Sequence, residues 1–258
     1  MNHLVFGDVH GDLKSLSTLC DKAIQMTKGG ELTLHSVGDL IDRGENSMGV
    51  IEFCIQNKVN LTLGNHELWL HQWCNTGKFD TFALHRMVGG KATLKSYGIE
   101  SVSPSQIESE LAKLFPNSHR EYLTRAAVYS QIVHEGVKYR LTHSGVEKSF
   151  GEELWGKIRN AGVPEESIGD TMMDVISLET PSNILWTEMK KDRMFSFPDG
   201  SVQVFGHTPW GKRGEINTEK GYAALDTGCG TCPPYNLTGM LLMEGEKNPS
   251  LICSRNYS

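Results

Sequence analysis

Apolar positions along this chain follow two rhythms that alternate. His3-Leu-Val-Phe-Gly7 is a short apolar run closed by glycine and predicts a buried strand. Asp12 then stands where a helix cap belongs, and Leu13, Leu16, Cys20, Ala23, Ile24 and Thr27 recur at helical spacing until Gly29-Gly30. Leu32 to Val37 predicts a second strand. Asn46 caps a helix that buries Val50, Ile51, Cys54 and Ile55. Val59 to Leu63 predicts a third strand, followed by a helix carrying Leu68, Trp69 and Trp73. Strands alternating with helices predict a sheet with parallel pairs and covered faces. From Phe79 to about Thr124 the pattern is helical, with a break at Ser103-Pro104. Val128–Val133 and Val137–Thr142, split by His134-Glu135-Gly136, predict a hairpin. Residues 150–182 are polar and helical in places, and strands return at 202–205, 222–225 and 240–243.

Composition narrows the class without naming a function. A chain of 258 residues, 38% hydrophobic and 22% charged, is neither collagen, coiled coil nor wholesale disorder. Twenty-five Lys plus Arg against 31 Asp plus Glu leave a net charge of −6, which argues against stable nucleic acid binding or attraction to an anionic membrane. No apolar stretch approaches the roughly 20 residues of a spanning helix. The six cysteines are scattered, so a reducing, cytoplasmic setting is the expectation. Cys229 and Cys232 form a C-x-x-C with no second Cys or His pair nearby, and are expected to pack in a turn.

The chemistry stands just after the strands. Gly7-Asp8-Val9-His10-Gly11, Gly38-Asp39-Leu40-Ile41-Asp42-Arg43-Gly44, Gly64-Asn65-His66-Glu67, Thr142-His143-Ser144-Gly145 and Gly206-His207-Thr208 each follow one. In open α/β sheets the crevice beyond the strand carboxyl ends is where sites form. Asp, His and Asn together suit divalent Mn, Fe, Zn, Co or Ni better than Ca or Mg alone. A bridging carboxylate would let two ions about 3.5–4 Å apart share a nucleophilic water. Each motif alone is an ordinary turn or loop; their ordered combination carries the reading. His35, inside a strand pattern, serves as a control and is expected to be a satisfied structural histidine.

GDVHG at 7–11, GDLIDRG at 38–44, GNHE at 64–67, His143 in LTHSG and His207 in GHTP resemble the phosphoprotein phosphatase branch of the calcineurin-like metallophosphoesterases, the compact bacterial and phage type in particular. The resemblance runs from about residue 3 to 245 and includes the tail GHTPWGK…LDTG…NLTGMLL. It implies an α/β (α+β) fold, a β-sandwich of two mixed sheets flanked by helices. It also implies a single domain over 1–258, with the helical segment 79–126 inside it. It implies a first metal on Asp8, His10 and Asp39 and a second on Asp39, Asn65, His143 and His207, with Mn²⁺ the expected ion. A hydroxide between them would attack phosphorus in line. His66 would protonate the leaving alkoxide, Asp42 would orient His66 and raise its basicity, and Arg43, with Asn65, would hold phosphate oxygens. The rival reading of Asp42 and Arg43 is a mutual salt bridge in a loop.

One departure stands out. Phage-type relatives place a second phosphate-binding Arg two residues after a Trp, where this chain has Glu188. Lys191-Asp192-Arg193-Met194-Phe195-Ser196-Phe197 resembles the later Arg stretch of longer members, making Arg193 the candidate, with Lys190, Lys191 and Arg213 behind it. Tyr235 and Trp210 are further candidates for the site mouth, and Arg86, Lys91, His119, Arg120 and Arg125 read as a solvated face. GNHE and the intact Asp-Arg pair favour a phosphomonoesterase acting on phosphoserine or phosphothreonine, and on phosphotyrosine as an extension. Symmetrical diadenosine tetraphosphate hydrolysis, or cleavage at other nucleotide or RNA ends, is the alternative on the same fold. An inactive metal-binding scaffold is a third reading, opposed by the complete ligand set. Fold analogy does not separate them.

Overall fold

A computed structural model describes residues 1–76, 80–100, 103–160, 184–231 and 236–255. The order is β1 (Asn2–Phe6), α1 (Leu13–Met26), β2 (Leu32–Ser36), α2 (Ser47–Gln56), β3 (Asn60–Leu61), α3 (Asn65–Thr76), α4 (Gly90–Ser96), α5 (Pro104–Leu114) and α6 (Asn117–Thr124). Then come β4 (Ser130–His134), β5 (Val137–Leu141), α7 (Lys148–Asn160), β6 (Val202–Phe205), β7 (Glu215–Asn217), β8 (Tyr222–Ala224), β9 (Thr238–Leu242) and β10 (Ser250–Cys253).

The strands form two five-stranded sheets, ordered β10-β9-β1-β2-β3 and β4-β5-β6-β8-β7. Both are mixed: β1-β2-β3 and β5-β6-β8 pair in parallel, and β9 on β1, β10 on β9, β4 on β5 and β7 on β8 pair antiparallel. Strand alternation sorts the core. Val5, Met240 and Leu242 from the first sheet meet Tyr139, Leu141, Val202 and Val204 from the second, so two inner faces pack as a sandwich. Leu4, Phe6 and Leu241 point the other way, into the layer with Leu16 and Leu19 of α1 and Val50 and Ile51 of α2.

Local chemistry starts the helices where expected. The Asp12 carboxylate accepts from the Ser15 N–H at 2.9 Å, and Asn46 accepts from the Gly49 N–H at 2.9 Å. Pro104 opens α5, which accounts for the break in the helical middle. Three features differ from expectation. Helix α3 begins at Asn65, ahead of the apolar residues that signalled it, because its first turn is polar. Ile24 faces solvent, and Leu19 takes the buried place on α1. Strands β7 and β10 lack buried alternation and were not expected. Of the uncertain stretch 150–182, α7 accounts for the start, and 161–183 lie outside the described residues.

Candidate active site

The five loops leave the carboxyl ends of β1, β2, β3, β5 and β6, three from one sheet and two from the other. They meet at one edge of the sandwich, and their backbone is strained there. His10, Asp39, Asp42, Arg43 and His207 all hold positive φ, a conformation non-glycine residues adopt only when their surroundings enforce it. Two glycines serve close approach. A Cβ on Gly206 would lie 2.0 Å from Asp8 Oδ1, and one on Gly64 would lie 2.3 Å from Asp39 Oδ1. The carboxylates occupy the space these glycines leave.

Asp39 stands at the centre. Its Oδ1 is 3.2 Å from His143 Nε2, and its Oδ2 is 3.7 Å from both His10 Nε2 and His66 Nε2. Asn65 Oδ1 lies 2.8 Å from His143 Nε2 and 3.0 Å from His207 Nδ1. Two donor groups result, His10-Asp39-His66 and Asp39-His143-His207, each compact enough for one ion and both sharing Asp39; the first gathers His66 in the place expected of Asp8. Asp8 is buried beside them and accepts the His207 N–H at 3.0 Å. His10 Nδ1 and His143 Nδ1 each sit 2.8 Å from a backbone carbonyl, of Ile41 and Val37. A carbonyl only accepts, so Nδ1 carries a hydrogen on each and Nε2 is turned inward, the orientation expected of metal-binding imidazoles.

Electrostatics fit cations at this place. Burial together with Asp226 and Asp39 pushes the Asp8 carboxyl up, and burial with Asp39 nearby pushes Asp226 up to about 6. Burial opposes charge on Asp39 too, but His143 and His66 outweigh it and hold its carboxyl low. Burial lowers His143, yet the Asp39 carboxylate brings it up to about 10. Burial takes His207 down to about 4 and, with Arg43, holds His10 well below the usual range. Three buried carboxyls of mutual repulsion, faced by imidazole nitrogens and an amide oxygen, form a donor set that divalent ions would neutralise.

The predicted acid is built as a dyad. His66 Nδ1 lies 2.5 Å from Asp42 Oδ2. Burial depresses His66, but Asp39 and Asp42 together raise it above the usual histidine value. Asp42 does not pair with Arg43. Its oxygens accept from the Trp69 indole at 2.8 Å and the Thr93 hydroxyl at 2.6 Å. Arg43 instead reaches His10 Nε2 at 2.7 Å and His66 Nε2 at 3.4 Å, so its guanidinium spans the centre.

Arg193 is elsewhere. It is 58% exposed and faces Glu147 at 3.7 Å, because its segment pairs backbone to backbone with Val146 and Lys148 at the start of α7. Lys191 pairs with Glu215, and Arg213 lines a separate hollow beside Lys22. Arg43 is therefore the one Lys or Arg lining the cleft over His66 and His207 among the described residues. Glu188 is exposed. Trp210 packs on Phe205 and donates to Glu215, the structural alternative for that residue. His119 and Arg120 are not a solvated face: His119 is buried against the Tyr97 hydroxyl, and Arg120 donates to the Cys74 and Leu111 carbonyls. Arg86, Lys91 and Arg125 are exposed as expected. Cys229 is buried beside Asp12, whereas Cys232 and Tyr235 lie outside the described residues.

Sequence reasoning missed three supports. Glu67 is wholly buried and accepts the N–H groups of Asp39, Leu40 and Gly64, tying two loops together. Burial, with Asp39 nearby, pushes its carboxyl up to about 7. Thr93 and Trp69 hold Asp42. Glu67 was visible as the last letter of GNHE; Thr93, 51 residues from Asp42, carried no local signal.

Fold and site together define a phosphoesterase architecture, and the comparisons place it. The calcineurin-like phosphoesterase family model matches residues 1–224, and the chain belongs to that family. A symmetrical bis(5'-nucleosyl)-tetraphosphatase of Photorhabdus laumondii is 24% identical over 89% of this chain and 90% of its own length. One from Neisseria gonorrhoeae is 39% identical over 72 residues, and this chain spans about a quarter of that relative (25%). A protein serine/threonine phosphatase from Saccharomyces cerevisiae shares the fold at a TM-score of 0.57 and 12% identity, covering 100% of this chain and 81% of its own. Among the described residues no helix is long and apolar enough to cross a membrane.

Proposed function

We propose that this protein is a metal-dependent phosphohydrolase of nucleotide substrates, with a bis(5'-nucleosyl) tetraphosphate as the leading candidate. The carrying observation is the His66–Asp42 dyad set beside Arg43 and over Asp39, whose two oxygens face two separate donor groups. The names of relatives matched over most of their length favour the nucleotide substrate over a phosphoprotein. Asp8, His10 and Asp39 would hold one ion and Asp39, Asn65, His143 and His207 the other, with Mn²⁺ the expected metal. When bound, such a pair supplies an activated water and charge neutralisation at phosphorus. Arg43 binds phosphate oxygens with its fork of donors. His66, its pKa raised by its carboxylate neighbours, delivers a proton to the leaving oxygen, and Asp42 holds the ring in place. Arg193 has no part in this arrangement.

A second reading, hydrolysis of phosphoserine or phosphothreonine, draws on the intact Asp42-Arg43 pair and on GNHE. The test is a panel on metal-stripped protein with Mn²⁺ restored: diadenosine tetraphosphate, p-nitrophenyl phosphate, a phosphothreonine peptide and a phosphotyrosine peptide. Mn²⁺-dependent cleavage fastest on the dinucleotide, with ADP as sole nucleotide product, is expected. Preference for the phosphopeptides would return the phosphoprotein reading and leave the site assignment standing.

A further inference from the structure

The catalytic cleft, about 220 Å³, has a polar floor and an apolar rim. The floor is Arg43, Asn65, His66 and His207. The rim exposes Phe82 (58%), Met87 (69%) and Trp186 (50%) in one continuous hollow. These come from two distant segments. Trp186 stands edge-on to His207, with ring centroids 6.3 Å apart at 83°. Phe82 lies in the short turn before α4, where the Asp80 carboxylate accepts its N–H at 2.8 Å.

The rim is held in register with the floor. Ala83, next to Phe82, is buried against Gly90, where a Cβ would meet the Ala83 carbonyl at 2.6 Å. The Gly89 carbonyl accepts the Arg43 N–H at 3.3 Å. The segment that presents Phe82 therefore also seats Arg43.

Three large apolar side chains left in water around a reactive centre mark a surface that a ligand covers. At the rim Asp80 is the one formally charged side chain among the described lining residues, so what the rim offers a ligand is chiefly apolar surface. Gln72 and Asp80 line the same hollow beside the rings. A flat, neutral, heteroaromatic group suits such a rim, because every base has a face to stack and an edge to bond. An extended peptide would need a longer groove and flanking charge.

We propose that Trp186 and Phe82 form a base-binding subsite, taking the purine of a nucleotide while the floor takes its phosphate. This rests on the reading of the floor as a phosphohydrolase site. The test uses the full-length protein with Trp186→Ala, Phe82→Ala and Trp186→Phe. With Mn²⁺ restored, kcat/KM is compared between diadenosine tetraphosphate and glycerol 2-phosphate, which has no ring. In parallel, ADP binding to metal-free protein is followed by tryptophan fluorescence and calorimetry. Each alanine variant should lower the ratio of dinucleotide to glycerol phosphate activity about tenfold, chiefly through KM, and Trp186→Phe should restore most of it. ADP affinity should weaken about tenfold in the same variants.

Equal losses on both substrates, or an unchanged ratio and unchanged ADP affinity, would overturn the subsite. So would rings whose loss weakens a phosphotyrosine peptide more than the nucleotide. Glycerol phosphate turnover with no base effect would sink the subsite alone. ADP binding through Trp186 with no hydrolysis of any compound would sink the phosphohydrolase reading alone.

Discussion

Strands β1 and β2 each carry one histidine inside the sheet and lead into site histidines beyond it; both inner ones are lowered, whereas at the loops one member of each close pair is raised. His3 and His35 face each other in the sandwich at 3.2 Å, with the His134 ring 6.1 Å from His3. His10 and His66 approach equally closely, ring centroids 4.7 Å apart, as do His143 and His207 at 5.1 Å. Burial alone would make all of them neutral, and it takes His35 to about 3 and His3 to about 4. The groups acting on the inner pair are each other, His134 and the chain's amino terminus. At the loops, Asp39 and Asp42 reverse the outcome for His66 and His143. Clustering of imidazoles is thus ordinary packing; what sets the loop cluster apart is the carboxylates in contact with it, the surroundings that cations and proton transfer would require.

The hardest way to break this contrast is to remove its central charge. Asp39→Asn should lower metal content, read by elemental analysis, and reduce turnover on the order of 10³-fold, since both donor groups share this residue. Two full metals in that variant would refute the bridging assignment. Removing the dyad is next. His66→Asn should retain metal and lose about 10²–10⁴-fold on alkyl phosphates, with a smaller loss on p-nitrophenyl phosphate, whose leaving group needs little protonation. Equal losses on both compounds would contradict the acid role. Thr93→Val sharpens the point from behind Asp42. It removes a buried donor to a carboxylate and should cost about 1–3 kcal/mol of stability by urea melts. Its kcat should fall about tenfold, more on poor leaving groups than on good ones. A leaving-group-independent loss would make Thr93 merely structural.

Much of this was legible in the residues. The loop motifs follow strands and carry glycines, so their convergence could be argued from topology, and the structure brings Asp8, His10, Asp39, Asn65, His143 and His207 to one edge. The supports were not legible in the same way. Thr93, Trp69 and Glu67 act through directional hydrogen bonds to residues 27 to 51 positions away, and nothing in local periodicity encodes direction. Arg193 shows the opposite failure. A matching stretch of letters suggested a role, but its segment hydrogen-bonds along the start of α7, and an exposed Arg facing Glu147 is the result. Trp186 was noted only as a landmark for a missing Arg, although its own ring stands at the cleft.

The inner histidines give the smallest and most selective test, and its sign differs from that of the loops. The folded pKa of His35 is lowered to about 3 from an unfolded value of 6.5, so above 6.5 it is neutral in both states and contributes nothing to pH dependence. As pH falls through 6.5 the unfolded chain takes up a proton that the folded protein refuses, and stability drops until about pH 3. At 1.36 kcal/mol per unit, His35 alone should remove about 2 kcal/mol between pH 7 and pH 5. His66 and His143, raised in the fold, act the other way: their contribution is present below 6.5 and fades as pH rises. The bulk curve mixes both signs, so the comparison is with His35→Gln, which keeps a polar partner for His3 but cannot titrate. Urea unfolding of wild type and His35→Gln at pH 7 and pH 5 should show the variant losing about 2 kcal/mol less over that interval. Parallel losses would mean that His35 titrates in the fold as it does unfolded, and the contrast between the two histidine clusters would then rest on geometry alone.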